Sequence, residues 1–185
     1  GIPHGNGSLT LAAGGAYRGR FLGGQPHSGK LTFASGDVYE GGLLDGWFHG
    51  NGKMTYADGD VYEGNWEASE PHGDGQGKIT YDNGDVYDGE LQDGIPHGNG
   101  SLTLAAGGAY RGRFLGGQPH SGKLTFASGD VYEGGLLDGW FHGNGKMTYA
   151  DGDVYEGNWE ASEPHGDGQG KITYDNGDVY DGELQ

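Results

Sequence analysis

One recurrence governs this chain: the tripeptide Tyr-x-Gly returns at Tyr17, Tyr39, Tyr62, Tyr87, Tyr110, Tyr132, Tyr155 and Tyr180, spaced 22, 23, 25 and 23 residues apart before the pattern starts again. A period in this range is the mark of a repeat architecture, in which each unit buries its apolar face against its neighbours. The four intervals sum to 93, and residues 94–185 repeat residues 1–92 without one substitution, with Asp93 as the joint. The reading is a first four-repeat copy over 1–93 that opens with a half repeat. An identical copy over 94–185 ends with one, and the two make one continuous array. Complete identity between copies points either to a deliberate duplication or to a window on a longer homogenised array.

Within each repeat the apolar residues alternate with polar ones, the period of a strand. Tyr62, Gly64 and Trp66 share one face, and Val61, Glu63 and Asn65 the other. Tyr17/Gly19/Phe21, Tyr39/Gly41/Leu43 and Tyr87/Gly89/Leu91 repeat the arrangement. A second strand carries an apolar-Thr-apolar signature at Leu9-Thr10-Leu11, Leu31-Thr32-Phe33, Met54-Thr55-Tyr56 and Ile79-Thr80-Tyr81. Asp58-Gly59 and Asn83-Gly84 then read as tight hairpin turns. Glycine supports this: the chain has 44, where about 13 would be average for its length, a level hostile to helices. The predicted fold is all-β, an elongated, twisted, single-layer antiparallel meander of about eight hairpins and sixteen strands, with one aromatic and one charged face. Lys53 and Thr55 are expected near Glu40 on the charged face.

The string Tyr62-Glu63-Gly64-Asn65-Trp66 followed by Pro71-His72-Gly73-Asp74-Gly75, with His49-Gly50-Asn51-Gly52 and Gly59-Asp60, resembles the MORN (membrane occupation and recognition nexus) repeat. The resemblance implies an open repeat sheet serving as a scaffold or as a protein- or lipid-contacting module. Three stretches depart from the pattern: His27-Ser28-Gly29 is one residue short, Glu67-Ala68-Ser69-Glu70 brings two extra, and Gly15-Ala16-Tyr17-Arg18 lacks the Gly-Asp-Val-Tyr-acid string.

The structural spine is assigned to Tyr17/Gly19, Tyr39/Gly41, Tyr62/Gly64, Tyr87/Gly89, Tyr110/Gly112, Tyr132/Gly134, Tyr155/Gly157 and Tyr180/Gly182, each ring lying over its glycine. Partner contacts are assigned to the aromatic face through Trp47, Phe48, Trp66, Trp140, Phe141 and Trp159. Catalytic, cofactor and metal sites are assigned to none. The eight histidines, each ten residues after a tyrosine apart from His4, are read as turn residues that bond backbone. Asp58/Asp60 and Asp82/Asp85 lack the ligand order of a calcium loop. Gly73-Asp74-Gly75-Gln76-Gly77 is not followed by the helix start a phosphate loop needs.

A formal net charge of −17 disfavours nucleic acid and anionic membrane as partners, since Arg18/Arg20 and Arg111/Arg113 are the only arginine cluster, one pair per copy. Asn6 and Asn99 open glycosylation sequons that matter only in a secretory setting, and no signal or membrane-spanning run places the chain in a compartment. The expected role is that of a non-enzymatic scaffold. Self-association head to tail is the first partner expected, because the half repeats at the two ends are complementary; a protein ligand on the aromatic face is the alternative, and phospholipid a weaker one.

Overall fold

A computed structural model describes residues 1–72, 75–165 and 169–183. Every regular element in it is a strand. The chain divides into two units, Gly1–Ile95 and Pro96–Gln185. In the first unit the strands are β1 (Gly5–Thr10), β2 (Gly15–Leu22), β3 (Gln25–Phe33), β4 (Val38–Leu44), β5 (Trp47–Thr55), β6 (Val61–Glu67), β7 (Glu70–Pro71), β8 (Gly75–Thr80) and β9 (Val86–Gln92). They pair antiparallel in chain order, except that β6 pairs first with the two-residue β7 and then with β8. The second unit repeats the plan with β10 (Ile95–Thr103), β11 (Gly108–Leu115), β12 (Gln118–Phe126), β13 (Val131–Leu137), β14 (Trp140–Thr148), β15 (Val154–Glu160), β16 (Glu163–Pro164), β17 (Gln169–Thr173) and β18 (Val179–Glu183). Among the described residues the strands number eighteen rather than sixteen, because the long repeat closes its hairpin with a short strand, β7 or β16, before the chain rejoins the sheet.

Two kinds of turn separate the margins of each unit. At one margin, two residues with positive φ join the strands: Asp45 and Gly46 (52° and 89°), Asp93 and Gly94 (51° and 77°), and Ala68 and Ser69 (51° and 67°). Positive φ at both positions gives the mirror-image turn whose twist matches a hairpin. At the other margin lie Asp58-Gly59 and Asn83-Gly84, and here the structure corrects the expectation of a two-residue turn. Gly59 N–H donates to Tyr56 O at 3.1 Å and Tyr56 N–H to Asp60 O at 2.8 Å, enclosing three residues with only Gly59 in the positive region.

The core is a single row on one face of each unit. Tyr17, Phe21, Tyr39, Leu43, Phe48, Met54, Tyr62, Trp66, Tyr87 and Leu91 are buried in the first unit. The alternation of β6, buried at Tyr62 and Trp66 and exposed at Glu63 and Asn65, follows the pattern read from sequence. Rings pack closely in this row: Tyr39 stacks on Phe48 at 3.8 Å, and Trp66 meets Tyr39, Phe48 and Tyr62 edge-on at 5.4, 5.5 and 5.1 Å. Such geometries add about 0.5–1.5 kcal/mol per pair beyond the area buried.

Candidate functional site

The repeating element is a tyrosine laid across the sheet. Each hydroxyl donates to the carbonyl three residues on: Tyr39 to Gly42 at 3.0 Å, Tyr62 to Asn65 at 3.2 Å, Tyr110 to Arg113 at 2.9 Å, Tyr132 to Gly135 at 2.9 Å and Tyr155 to Asn158 at 3.1 Å. Tyr17 shares its hydroxyl between Arg20 O and Ser28 O, both at 2.8 Å, and Tyr87 donates to Glu90 O. The ring crosses the glycine in between. A Cβ at Gly41 would sit 2.7 Å from Cζ of Tyr39, and one at its cross-strand partner Gly52 would sit 2.7 Å from Cε2 of the same ring. No other residue fits at either position. Burial pushes the Tyr39 and Tyr132 hydroxyls up to about 12. The spine glycines Gly19, Gly41, Gly64, Gly112, Gly134, Gly157 and Gly182 all have their tyrosine's hydroxyl within 3.0 Å of an added Cβ. Gly89 pairs with Gly77 across β8 and β9.

The six aromatic residues assigned to partner contact separate into two groups. Trp66 and Trp159 are 3% exposed, and Phe48 and Phe141 are buried beside them, so these four form core. Trp47 and Trp140 are 59% exposed. Each faces its cross-strand neighbour around a tight turn, Leu44 or Leu137, and both leucines are exposed as well. The indole N–H groups of Trp66 and Trp159 are buried without a hydrogen-bond partner.

Two fastenings join neighbouring hairpins, and neither is announced by a motif. Ser69 holds its left-handed backbone against the preceding hairpin: its N–H donates to Phe48 O at 3.2 Å, and its Oγ accepts from Phe48 N–H at 2.9 Å. Ser162 does the same with Phe141 at 3.1 and 2.9 Å. At the other margin an aspartate of one turn caps the next. Asp37 Oδ1 accepts from Ala57 N–H at 2.8 Å, Asp60 from Asp82 N–H at 2.7 Å, Asp130 from Ala150 N–H at 2.7 Å and Asp153 from Asp175 N–H at 2.9 Å. Hydrogen bonds from Ser35 and then from Ala57 hold the Asp37 carboxyl below its ordinary range, and Ser128 and Ala150 do so for Asp130. The Gly-Asp before Val-Tyr is thus a turn-to-turn clasp at Asp37, Asp60, Asp130 and Asp153.

The opposite face carries a row of charge. In register across β2 to β9 stand Arg18, Lys30, Glu40, Lys53, Glu63, Lys78 and Asp88. Lys53 lies opposite both Glu40 and Glu63 and closes on Glu63 at 2.9 Å, while Glu40 takes Lys30 at 2.8 Å; Thr55 lies opposite Val38 and Val61 instead. The hydrogen bond and charge of Lys30 hold Glu40 below its usual range, and Glu63 holds Lys53 above its own. These pairs are half exposed, so each is worth some tenths of a kcal/mol.

His27, His49, His97, His120 and His142 lie on strands rather than in turns, whereas His4, His72 and His165 lie just outside the strands. His27 is the extra residue between the Arg20–Ser28 and Phe21–Pro26 pairs. His72 Nε2 lies 3.0 Å from Glu67 Oε2, and its N–H donates to Asn65 O at 2.9 Å. Among the described residues no three His, Cys, Asp or Glu side chains converge as metal ligands. Of the glycine-rich string beginning at Gly73, the residues Gly73 and Asp74 lie outside the described residues. No helix among the described residues is long and apolar enough to cross a membrane.

Strand pairs that draw their core from neighbouring pairs define an all-β tandem-repeat protein. The chain belongs to the MORN repeat family, which matches it at residues 1–16, 17–38, 39–61, 62–73, 74–86, 87–109, 110–131, 132–154, 155–166 and 167–179. Ten segments arise from eight tyrosines because the opening half repeat counts separately and the 62–86 and 155–179 stretches are each matched in two pieces, leaving the tail past 179 unmatched. No curated protein sequence matches the chain. Among solved structures, it is similar to the TCP domain of SAS-4 (dCPAP) of Drosophila melanogaster, in complex with a proline-rich motif of Ana2 (dSTIL). That likeness has 16% identity over 97% of this chain and 90% of the other, with a TM-score of 0.51. The wild-type TCP10 domain of Danio rerio CPAP, in complex with a STIL peptide, matches at 20% identity over 99% and 97% of the two chains, with a TM-score of 0.37.

Proposed function

We propose that this chain is a non-catalytic scaffold whose MORN sheet binds a protein segment along the Leu44–Trp47 margin and its copy at Leu137–Trp140. One observation carries the reading: two of the four tryptophans are 59% exposed beside exposed leucines, whereas the other two are 3% exposed in the core. An exposed indole suits proline rings, because a polyproline helix is preformed and loses little entropy on docking. The Drosophila TCP domain, similar in fold, is in complex with a proline-rich motif. The test is fluorescence anisotropy with a labelled proline-rich peptide. Binding that disappears in the Trp47→Ala/Trp140→Ala protein, with the thermal melt unchanged, supports the reading. Equal binding by wild type and variant rejects it.

Head-to-tail self-association is the second reading, favoured by Tyr180. Its ring is 42% exposed although Tyr110, Tyr132 and Tyr155 are buried, so the strand that carries it presents an uncovered rung. The first strand, β1, likewise carries an exposed Leu9. A second copy placing β1 against β18 would cover both, and because such a contact need not close on itself it can propagate. Light scattering that reports a constant monomer mass from micromolar to millimolar protein excludes it.

A further inference from the structure

Beyond that reading, one place on the outer face breaks the alternation of charge. Lysine and carboxylate take turns along the row from Lys30 to Asp88, but Arg18 lies directly opposite Lys30 and, on its other side, opposite Ser8. Like charges face to face across a sheet are destabilising. Arg20 stands two residues along the same strand, between Asn6 and Ser28. Lys30 is already taken by Glu40 at 2.8 Å. Among the described residues neither Arg18 nor Arg20 has a carboxylate within ion-pair distance, in a chain with 27 acidic residues. Both are exposed, and an open depression of about 510 Å³ lined by Asn6, Gly7, Ser8, Arg18 and Gly19 lies beside them. The second unit repeats the placement: Arg111 pairs with Ser101 and Lys123, and Arg113 with Asn99 and Ser121.

We propose that Arg18 with Arg20, and Arg111 with Arg113, form sites for an acidic, extended protein segment. Side chains two apart on a strand share a face at roughly 6.8 Å. The two guanidinium groups therefore match carboxylates at alternate positions of an extended ligand, each taken in a bidentate pair. Asn6, Ser8 and Ser28 flank the arginines with groups that donate hydrogen bonds and bring no negative charge to repel the ligand. The overall negative charge does not prevent this, because at 0.1 M salt interactions beyond about 10 Å are screened and the local cations set the field. An acidic partner also explains why this spot lacks the glutamate that completes the row elsewhere: the ligand supplies it.

The experiment uses the intact chain and a fluorescein-labelled peptide of alternating Glu and Thr, followed by anisotropy. Binding is expected at about 0.1 M salt, where the net negative charge is screened, at both arginine pairs, weakening steadily as salt rises further. Substituting Arg18→Gln, Arg20→Gln, Arg111→Gln and Arg113→Gln together should weaken it at least about tenfold with circular dichroism and melting unchanged, since charge-assisted pairs are the strong ones. The four Arg→Lys changes should restore part of the loss, and Lys53→Gln, away from the arginines, should leave binding intact. No binding at about 0.1 M salt, or binding that survives the four Arg→Gln changes, overturns the proposal. So does tighter competition by a phosphorylated peptide or inorganic phosphate than by the acidic peptide, which would make the arginines a phosphate site. The Trp47→Ala/Trp140→Ala protein should still bind the acidic peptide, so a failure of the tryptophan reading and a failure of this one are told apart.

Discussion

Tyr132 and Tyr180 belong to the same unit and the same motif, yet Tyr132 is wholly buried and Tyr180 is 42% exposed. Both keep the local bond: Tyr132 donates to Gly135 O at 2.9 Å and Tyr180 to Glu183 O at 2.6 Å. What differs is the cover. Phe141 stacks on Tyr132 at 3.7 Å and Trp159 meets its edge at 5.4 Å, one from the following strand and one from the next tyrosine strand. The hydrogen bond is therefore a property of the tripeptide, whereas burial is a loan from the neighbouring hairpins. A single repeat holds its tyrosine in position and still has no core.

The sharpest way to break this contrast is to remove the rings. Tyr132→Ala should cost about 3–5 kcal/mol, the range for large aromatic truncations in a packed core, and Tyr180→Ala less than about 1 kcal/mol. Paired urea melts measure both, and equal losses would show that burial is not what separates the two rungs. Alkali gives a second test on buried rings. The folded state keeps the Tyr39 and Tyr132 hydroxyls protonated up to about 12, above the ordinary value near 10. Between those values the unfolded chain has released protons that the folded chain retains, so stability is intact below pH 10 and falls as pH rises towards 12. A phenolate absorbance step that coincides with loss of the β signal in that window is the expected result. Gly134→Ala comes next. Its Cβ would sit 2.7 Å from the Tyr132 ring, an overpacking worth about 1–3 kcal/mol, whereas at Gly182 the nearest atom is 3.0 Å away on an exposed ring that can yield. Thermal melts should rank Gly134→Ala well below Gly182→Ala. The smallest effect is expected from Ser162→Ala, which strips the partner from Phe141 N–H and loosens the ring that covers Tyr132, for about 0.5–1.5 kcal/mol. Hydrogen exchange at Phe141 should rise while that at Glu183 stays unchanged.

The spine was legible because strand period and tripeptide agree: once Tyr62 faces the core, Gly64 and Trp66 must follow, and they do. The same logic places Trp66 among buried side chains, and its inclusion with Trp47 as a contact residue came from treating every aromatic as one face. Trp47 lies on the opposite face, next to a tight turn, and only the pairing Leu44–Trp47 reveals it. Turn types were less readable. Asp58-Gly59 and Asp45-Gly46 are the same dipeptide, but one has a single residue at positive φ and the other has two, a difference set by strand register rather than by composition. Irregular pairing was hidden for a related reason. The missing residue at His27-Ser28 leaves one unpaired residue against β2, whereas the full-length loop at His49-Gly50-Asn51 spans the step from Gly52 to Phe48 against β4. The clasps from Asp37, Asp60 and Ser69 join residues about one repeat apart, and no local pattern announces a bond at that separation.

The aspartate clasp also governs how such a chain can change length. Because Asp37 reaches Ala57 and Asp60 reaches Asp82, each of these turns is fastened to the turn one whole hairpin later. Adding or deleting a complete tyrosine-to-tyrosine step renews each clasp with an equivalent mate. Adding a lone strand would carry the aspartate to the wrong margin. Growth and shrinkage of this lineage are therefore quantised, and a genetic slip of any other size is expected to leave a scar rather than a longer ribbon.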